Sequence, residues 1–132
     1  MRIPLLVLLL MLALISCRAY MAKEEFDLTT REYGISLRWK RFENAEFFSA
    51  SSIRDEFKKR VERAMNVEVV DYRVIDIEYD EAKKKATVNA EISYYMVSSN
   101  RVRTLMDKQI WSYEKGNGKH QWQLITLLPE FK

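Results

Sequence analysis

The 132-residue sequence predicts an α+β domain, with N-terminal helices packed on a curved four-stranded antiparallel meander. Apolar residues recur at helical spacing up to about residue 65. From Val67 onward the pattern switches to alternation rich in β-branched and aromatic residues, and turn signals divide that half into four runs. Three glycines, two prolines and 12% aromatic residues argue against disorder, and the length is that of one small domain. A single cysteine excludes an internal disulfide framework and a zinc-type cysteine cluster. A single histidine, His120, leaves most metal sites and a Ser-His-Asp relay without their residues. No metal and no cofactor is expected.

Arg2 gives a positive start, Ile3 to Ile15 is an uncharged run of 13 residues, and Ser16 precedes Cys17. The run falls short of the roughly 20 residues that cross a bilayer as a helix and has the length of a signal-peptide apolar region. Leu14-Ile15-Ser16-Cys17 resembles a bacterial lipobox. That resemblance implies a signal peptide over residues 1–16, cleavage between Ser16 and Cys17, a Cys17 thioether to diacylglycerol, and a further acyl chain such as palmitate. Two or three chains, at about 0.8 kcal/mol per buried methylene, hold a protein on a membrane where one does so only marginally. An ordinary secretory signal, or a short N-terminal membrane helix with an incidental thiol, is the alternative. Arg18 in place of an aspartate points, by the same resemblance, to the outer membrane on its periplasmic side. Arg2 is the only charge removed with the leader, so the remaining 116 residues hold 21 basic and 19 acidic groups. That balance is too even for a nucleic-acid partner. Residues 17–28 read as the lipidated cysteine and a tether, and a flexible Arg18–Leu28 segment keeps the domain within about 20 Å of the lipid.

Residues 29–132 are then the domain. Thr29-Thr30-Arg31-Glu32 reads as a capping signal, followed by Ile35, Trp39 and Phe42 at i, i+4, i+7 with Tyr33 and Leu37 beside them. Ala45 to Phe48 adds a turn or two, and Ser49-Ala50-Ser51-Ser52 breaks it. The next helix, Ile53 to about Met65, places Ile53, Phe57, Val61, Ala64 and Met65 on one stripe, with Asp55 early and Arg60 and Arg63 late, as the helix dipole favours. Val70, Tyr72 and Val74 alternate in one phase and Ile75, Ile77 and Tyr79 in the other, which predicts a bulge inside one long strand. Asp80 to Lys84 is a turn, Ala86 to Met96 a half-buried strand, and Ser98 to Arg101 the next turn. Strands from Val102 to about Tyr113 and from His120 to about Leu128 flank Lys115-Gly116-Asn117-Gly118-Lys119, whose Asn-Gly is a hairpin signal.

The segment from Leu37 to Ala45, the long strands, and Trp111-Ser112-Tyr113 with Gln121-Trp122-Gln123-Leu124 resemble the nuclear-transport-factor-two-like (cystatin-like, SnoaL-like) cone fold. More narrowly, most of residues 29–131 resembles small bacterial lipoproteins of that architecture. The resemblance implies a cone whose mouth or interior meets a small molecule or a partner segment. The same fold hosts carriers, isomerases, dehydratases and scaffolding modules, so it does not choose among them.

Trp39, Phe42, Tyr72, Tyr94, Asp107, Trp111 and Trp122 are the candidate pocket or partner-surface residues. An isomerase-type site needs a carboxylate in an apolar cone opposite a tyrosine. Asp107, with Tyr72, Tyr94 and Tyr95, is the candidate, but both faces of its strand are mixed, so it reads as a solvent-face residue or a cross-strand ion pair. Tyr33, Trp39, Phe42, Phe47, Phe48 and Phe57 read mainly as core, and His120 as a polar residue at a hairpin end. Arg101 and Arg103, Lys83 to Lys85 and Lys58-Lys59-Arg60 read as solvated faces, or as salt-sensitive contacts to anionic lipid headgroups or peptidoglycan carboxylates. Without a catalytic constellation, the expected function is a lipid-anchored, non-catalytic binding or scaffolding module for an envelope protein or component, with a homodimer through the open sheet face as a further partner. The alternative is a small-molecule carrier or isomerase-like enzyme that uses the cone interior.

Overall fold

The first helix is longer than the sequence predicts. In the computed structural model, which describes residues 4–116 and 118–132, helix α1 runs from Leu5 to Arg38 without interruption. Arg2 and Ile3 of the expected leader and Asn117 of the hairpin signal lie outside the described residues. The predicted start at Thr29 is not used. Thr30 Oγ1 donates to Phe26 O at 2.9 Å, a bond to the preceding turn that continues a helix instead of capping one.

The tether expected over Arg18–Leu28 is corrected as well. It is helical, and its Phe26 is fully buried, with ring centroids 5.2 Å from Tyr79 and 5.0 Å from Trp122. Trp122 Nε1 donates to Ala22 O at 2.8 Å across 100 residues of sequence. The folded unit therefore starts near Ala22 and not at residue 29. Leu5 to Ile15, by contrast, are exposed, and this half of α1 is apolar enough to cross a membrane, a test that signal sequences also pass.

Phe26, Thr30, Tyr33, Gly34 and Leu37 form the buried face of α1 at i, i+4, i+7, i+8, i+11. Ile35 and Trp39, expected on that face, point the other way and are exposed. The helix ends where Lys40 takes φ 58° and Arg41 N donates back to Ser36 O at 2.7 Å. That reversal carries Phe42 into the core on a separate short helix, α2 (Phe42–Glu46). Phe47 follows in a turn and is 79% exposed, contrary to its core assignment. Helix α3 (Arg54–Arg63) buries Phe57 and Val61 as its stripe requires, with Asp55 and Glu56 in its first turn and Arg60 and Arg63 in its last.

Four antiparallel strands follow in the order β1 (Val67–Asp80), β2 (Lys85–Met96), β3 (Arg103–Gly116) and β4 (Lys119–Leu124), an α+β meander as expected. The predicted bulge is present, between Val74 and Asp76, and a second lies between Val69 and Asp71. The inner face carries Val67, Val69, Ala86, Val88, Ala90, Ile92, Tyr94, Trp111, Trp122 and Leu124, and the helices cover it. Strand β4 stops at Leu124, short of the expected Leu128. Leu124 N donates to Phe48 O at 2.7 Å and Leu124 O accepts from Ala50 N at 2.9 Å, so the chain from Phe48 to Ala50 covers that edge.

Candidate binding surface and interior polar cluster

Two features collect the chemistry-bearing residues, one outside the core and one within it. Outside, α1 and the edge strand β1 enclose a groove of about 490 Å³ lined by Gly34, Ile35, Trp39, Tyr72, Val74 and Ile77, with Thr30, Asp27, Arg31 and Arg38 around them. The groove exists because α1 buries its other face, leaving Ile35 and Trp39 to form an apolar wall beside the outer half of β1. Arg38 fixes this end. Its Nη1 donates to Val69 O at 3.1 Å and its guanidinium lies 4.6 Å from the Trp39 ring centroid.

Tyr72 forms the inner wall, and Gly34 lets it approach. A Cβ on Gly34 would lie 2.5 Å from Tyr72 Cε1. In an unobstructed helix Gly→Ala gains about 1 kcal/mol of propensity. Here Gly34→Ala has to displace the Tyr72 ring, so we expect it to lower the thermal midpoint of the domain. An unchanged or raised midpoint in a calorimetric scan would show that the close contact is not needed.

Behind Tyr72 is the second feature. Gln109 Nε2 donates to Tyr72 Oη at 2.9 Å and to Asp107 Oδ2 at 3.0 Å, and Gln109 Oε1 accepts from Trp111 Nε1 at 3.1 Å. Asp107 is 4% exposed, and none of the described ion pairs includes it, which corrects its reading as a solvent-face residue or ion-pair member. Burial pushes its carboxyl up to about 6, against the opposing hydrogen bond from Gln109. Burial also pushes the Tyr72 phenol up to about 12 and raises Tyr33 strongly, with the Asp107 charge adding to both. Tyr33 packs its ring 5.4 Å from Trp111, and its buried hydroxyl has no hydrogen-bond partner among the described residues.

The seven candidates therefore separate. Tyr72, Asp107 and Trp111 meet through Gln109. Phe42 and Tyr94 lie apart from these, both against Phe131, and Tyr94 Oη donates to Lys132 O at 2.6 Å. Trp122 sits beside Ala22, and Trp39 stands 62% exposed on the groove rim. Sequence reasoning missed Gln109, Gly34 and Tyr33 as members of the cluster. A usable signal was present: Leu105, Asp107, Gln109, Trp111 and Tyr113 share one phase of β3, and the tryptophan marks that phase as the inner one.

Other charged groups have structural work. Arg60 Nη1 donates to Leu128 O at 2.9 Å, which removes it from the surface run Lys58-Lys59-Arg60. The open sheet face is polar, with Arg73 Nη2 donating to Glu91 Oε1 at 2.8 Å. His120 is exposed, its ring 5.8 Å from that of Tyr113. Among the described residues no three His, Cys, Asp or Glu are placed to hold a metal ion. A scan against protein-family models finds no match, and a search of the curated proteins finds none either.

Proposed function

We propose that the chain is a lipid-anchored module of the bacterial envelope that binds an envelope protein, without catalysis, through the groove between α1 and β1. One observation carries the reading. The exposed apolar half of α1 ends at Cys17, and the packed core begins only five residues later, at Ala22. At about 1.5 Å of axial rise per helical residue the domain starts about 7.5 Å along α1 from the anchoring residue, so the groove stands in a fixed relation to the membrane. The lipobox resemblance supports Cys17 as the anchor, Ser16 as the residue before cleavage, and the outer membrane as the site. The helical layer on the inner face of a bulged sheet supports the cone-like, nuclear-transport-factor-two-like reading of the fold. A homodimer through the open sheet face has less support, because that face offers charged and polar side chains.

The test uses the anchored chain in its own membranes. With a photo-crosslinker in place of Trp39, illumination is expected to yield an adduct of discrete mass with a second protein. Cys17→Ser is expected to abolish palmitate labelling and that adduct together. Labelling that survives Cys17→Ser would overturn the anchor, and a Trp39 position that yields no adduct would overturn the groove.

The unpartnered hydroxyl of Tyr33 beside the buried Asp107 favours a second reading, a small-molecule carrier whose ligand supplies the missing hydrogen bond. Native mass spectrometry of the chain from cells decides it: a carrier retains a bound small mass, and the bare chain mass alone refutes that reading.

A further inference from the structure

Among the described residues, Tyr72 is the groove residue that is hydrogen-bonded to the buried polar cluster. Its ring meets Gly34 of α1 and lines the groove, and its hydroxyl has a single hydrogen bond, accepted from Gln109 Nε2. The inner wall of the groove is therefore held from behind by one amide. That amide is engaged at both of its ends. Nε2 also donates to Asp107 Oδ2 at 3.0 Å, and Oε1 accepts from the fully buried Trp111 at 3.1 Å, which fixes the way the amide faces. A primary amide has two N–H groups in one plane, and here each has its own acceptor. The bond to Asp107 directs one of them, and the rigid plane aims the other at Tyr72 Oη.

Of the three contacts, only the one to Asp107 can change its character. A carboxylate accepts a charge-assisted hydrogen bond, roughly twice as strong as a neutral one, and a carboxylic acid does not. The surroundings of Asp107 leave its charge to act on Gln109. From α1 and β1 it is faced by Tyr33 and Tyr72, whose phenols burial raises further above neutrality. Ala90 stands opposite it on β2, and β4 pairs with β3 only from Trp111 onward. No ion pair among the described residues includes it. Burial places the change of state of its carboxyl at about 6, so mild acid is enough to cross it.

We propose that Gln109 relays the charge of Asp107 to Tyr72, so that the groove keeps its inner wall while the carboxylate is ionised and loosens it when the carboxylate takes up a proton. The inference rests on the groove as the binding site and adds its regulation: the partner is held near neutral pH and released in mild acid. By linkage, a bound partner favours the ionised carboxylate in return. Gln109 acts only through Tyr72 and is a positioning residue.

The experiment has two readings on the full chain. Fluorine NMR of the chain in detergent micelles, with 3-fluorotyrosine in place of tyrosine, follows the Tyr72 resonance, assigned with Tyr72→Phe. The photo-crosslinker in place of Trp39 is illuminated in native membranes at pH 7.5 and at pH 5. The Tyr72 resonance is expected to shift with a midpoint near pH 6. The adduct is expected to fall about fivefold at pH 5, the scale of the difference between a charge-assisted and a neutral hydrogen bond. Asp107→Asn is expected to hold both readings at their acid values at either pH. Gln109→Met is expected to leave the Tyr72 resonance flat, while the pH dependence of its unfolding curve, which reports Asp107 itself, persists. A Tyr72 resonance that ignores pH in the wild type, or that still follows it in Asp107→Asn, overturns the relay and leaves the groove standing. An adduct that falls equally in the wild type and in Asp107→Asn overturns the relay as well. Absence of the adduct at both pH values overturns the groove and its regulation together.

Discussion

Phe26→Ala is expected to destabilise the domain by about 3–5 kcal/mol, the cost of emptying an aromatic site in a packed core. The ring is fully buried between Tyr79 and Trp122, and its loss frees the start of α1 from both hairpins. Such a loss is a large part of the roughly 5–15 kcal/mol that holds a domain of this size. Leu28→Ala, two residues on but exposed, is expected to stay within about 0.5 kcal/mol of the wild type. Urea unfolding followed by tryptophan fluorescence measures both, and at about 1–3 kcal/mol per molar urea the Phe26→Ala midpoint moves by a molar unit or more. A flexible tether at this position would leave both variants neutral.

Asp107→Asn is expected to stabilise the protein at neutral pH. Burial raises the Asp107 carboxyl from its ordinary 3.8 to about 6 in the folded state. The folded protein therefore binds the proton more tightly than the unfolded chain does. The associated stabilisation is complete below about pH 4, and it is lost as the pH rises through about 6. Above that, the fold holds a charged carboxylate beside Gln109 with no cation paired to it, at a cost on the order of 3 kcal/mol. Asparagine keeps an oxygen to accept from Gln109 Nε2 and carries no charge. Its advantage is expected to be largest at pH 7–8 and to vanish near pH 4. Parallel unfolding curves for the two proteins across pH 4–8 would show instead that the carboxylate is solvated.

The difference between these residues explains what the sequence could and could not reveal. The four strands, their order and the bulge beside Ile75 were legible, because alternation and turn residues are local signals. Phe26 was not legible. It lies among Lys23, Glu24, Glu25 and Asp27, and the aromatic partners that bury it are supplied by strands far away in the chain. The outward turn of Ile35 and Trp39 has the same origin: α1 takes its rotational setting from Phe26 and from the fit of Gly34 against Tyr72. Asp107 was misread because the composition of β3 averages over its two faces, whereas Trp111 in the same phase identifies the inner one. Gln109 as the hub of the cluster has no local signature, since its partners are chosen by the packing of Tyr72 and Trp111.

The two bulges in β1 also bear on how the molecule avoids its own kind. This strand is 14 residues long, borders the sheet, and exposes Val70, Val74, Ile75 and Ile77, a combination that invites another extended chain to add alongside. The extra residues Val70 and Ile75 interrupt its regular pairing and leave Asp71 to Val74 as the uninterrupted stretch between them. A strand laid against this border would keep register over those four residues, or over the five from Asp76 to Asp80, before its hydrogen bonds fell out of step. Bulges are one of the devices by which sheet edges resist such addition, and here they do so without removing Val74 and Ile77 from the groove beside α1.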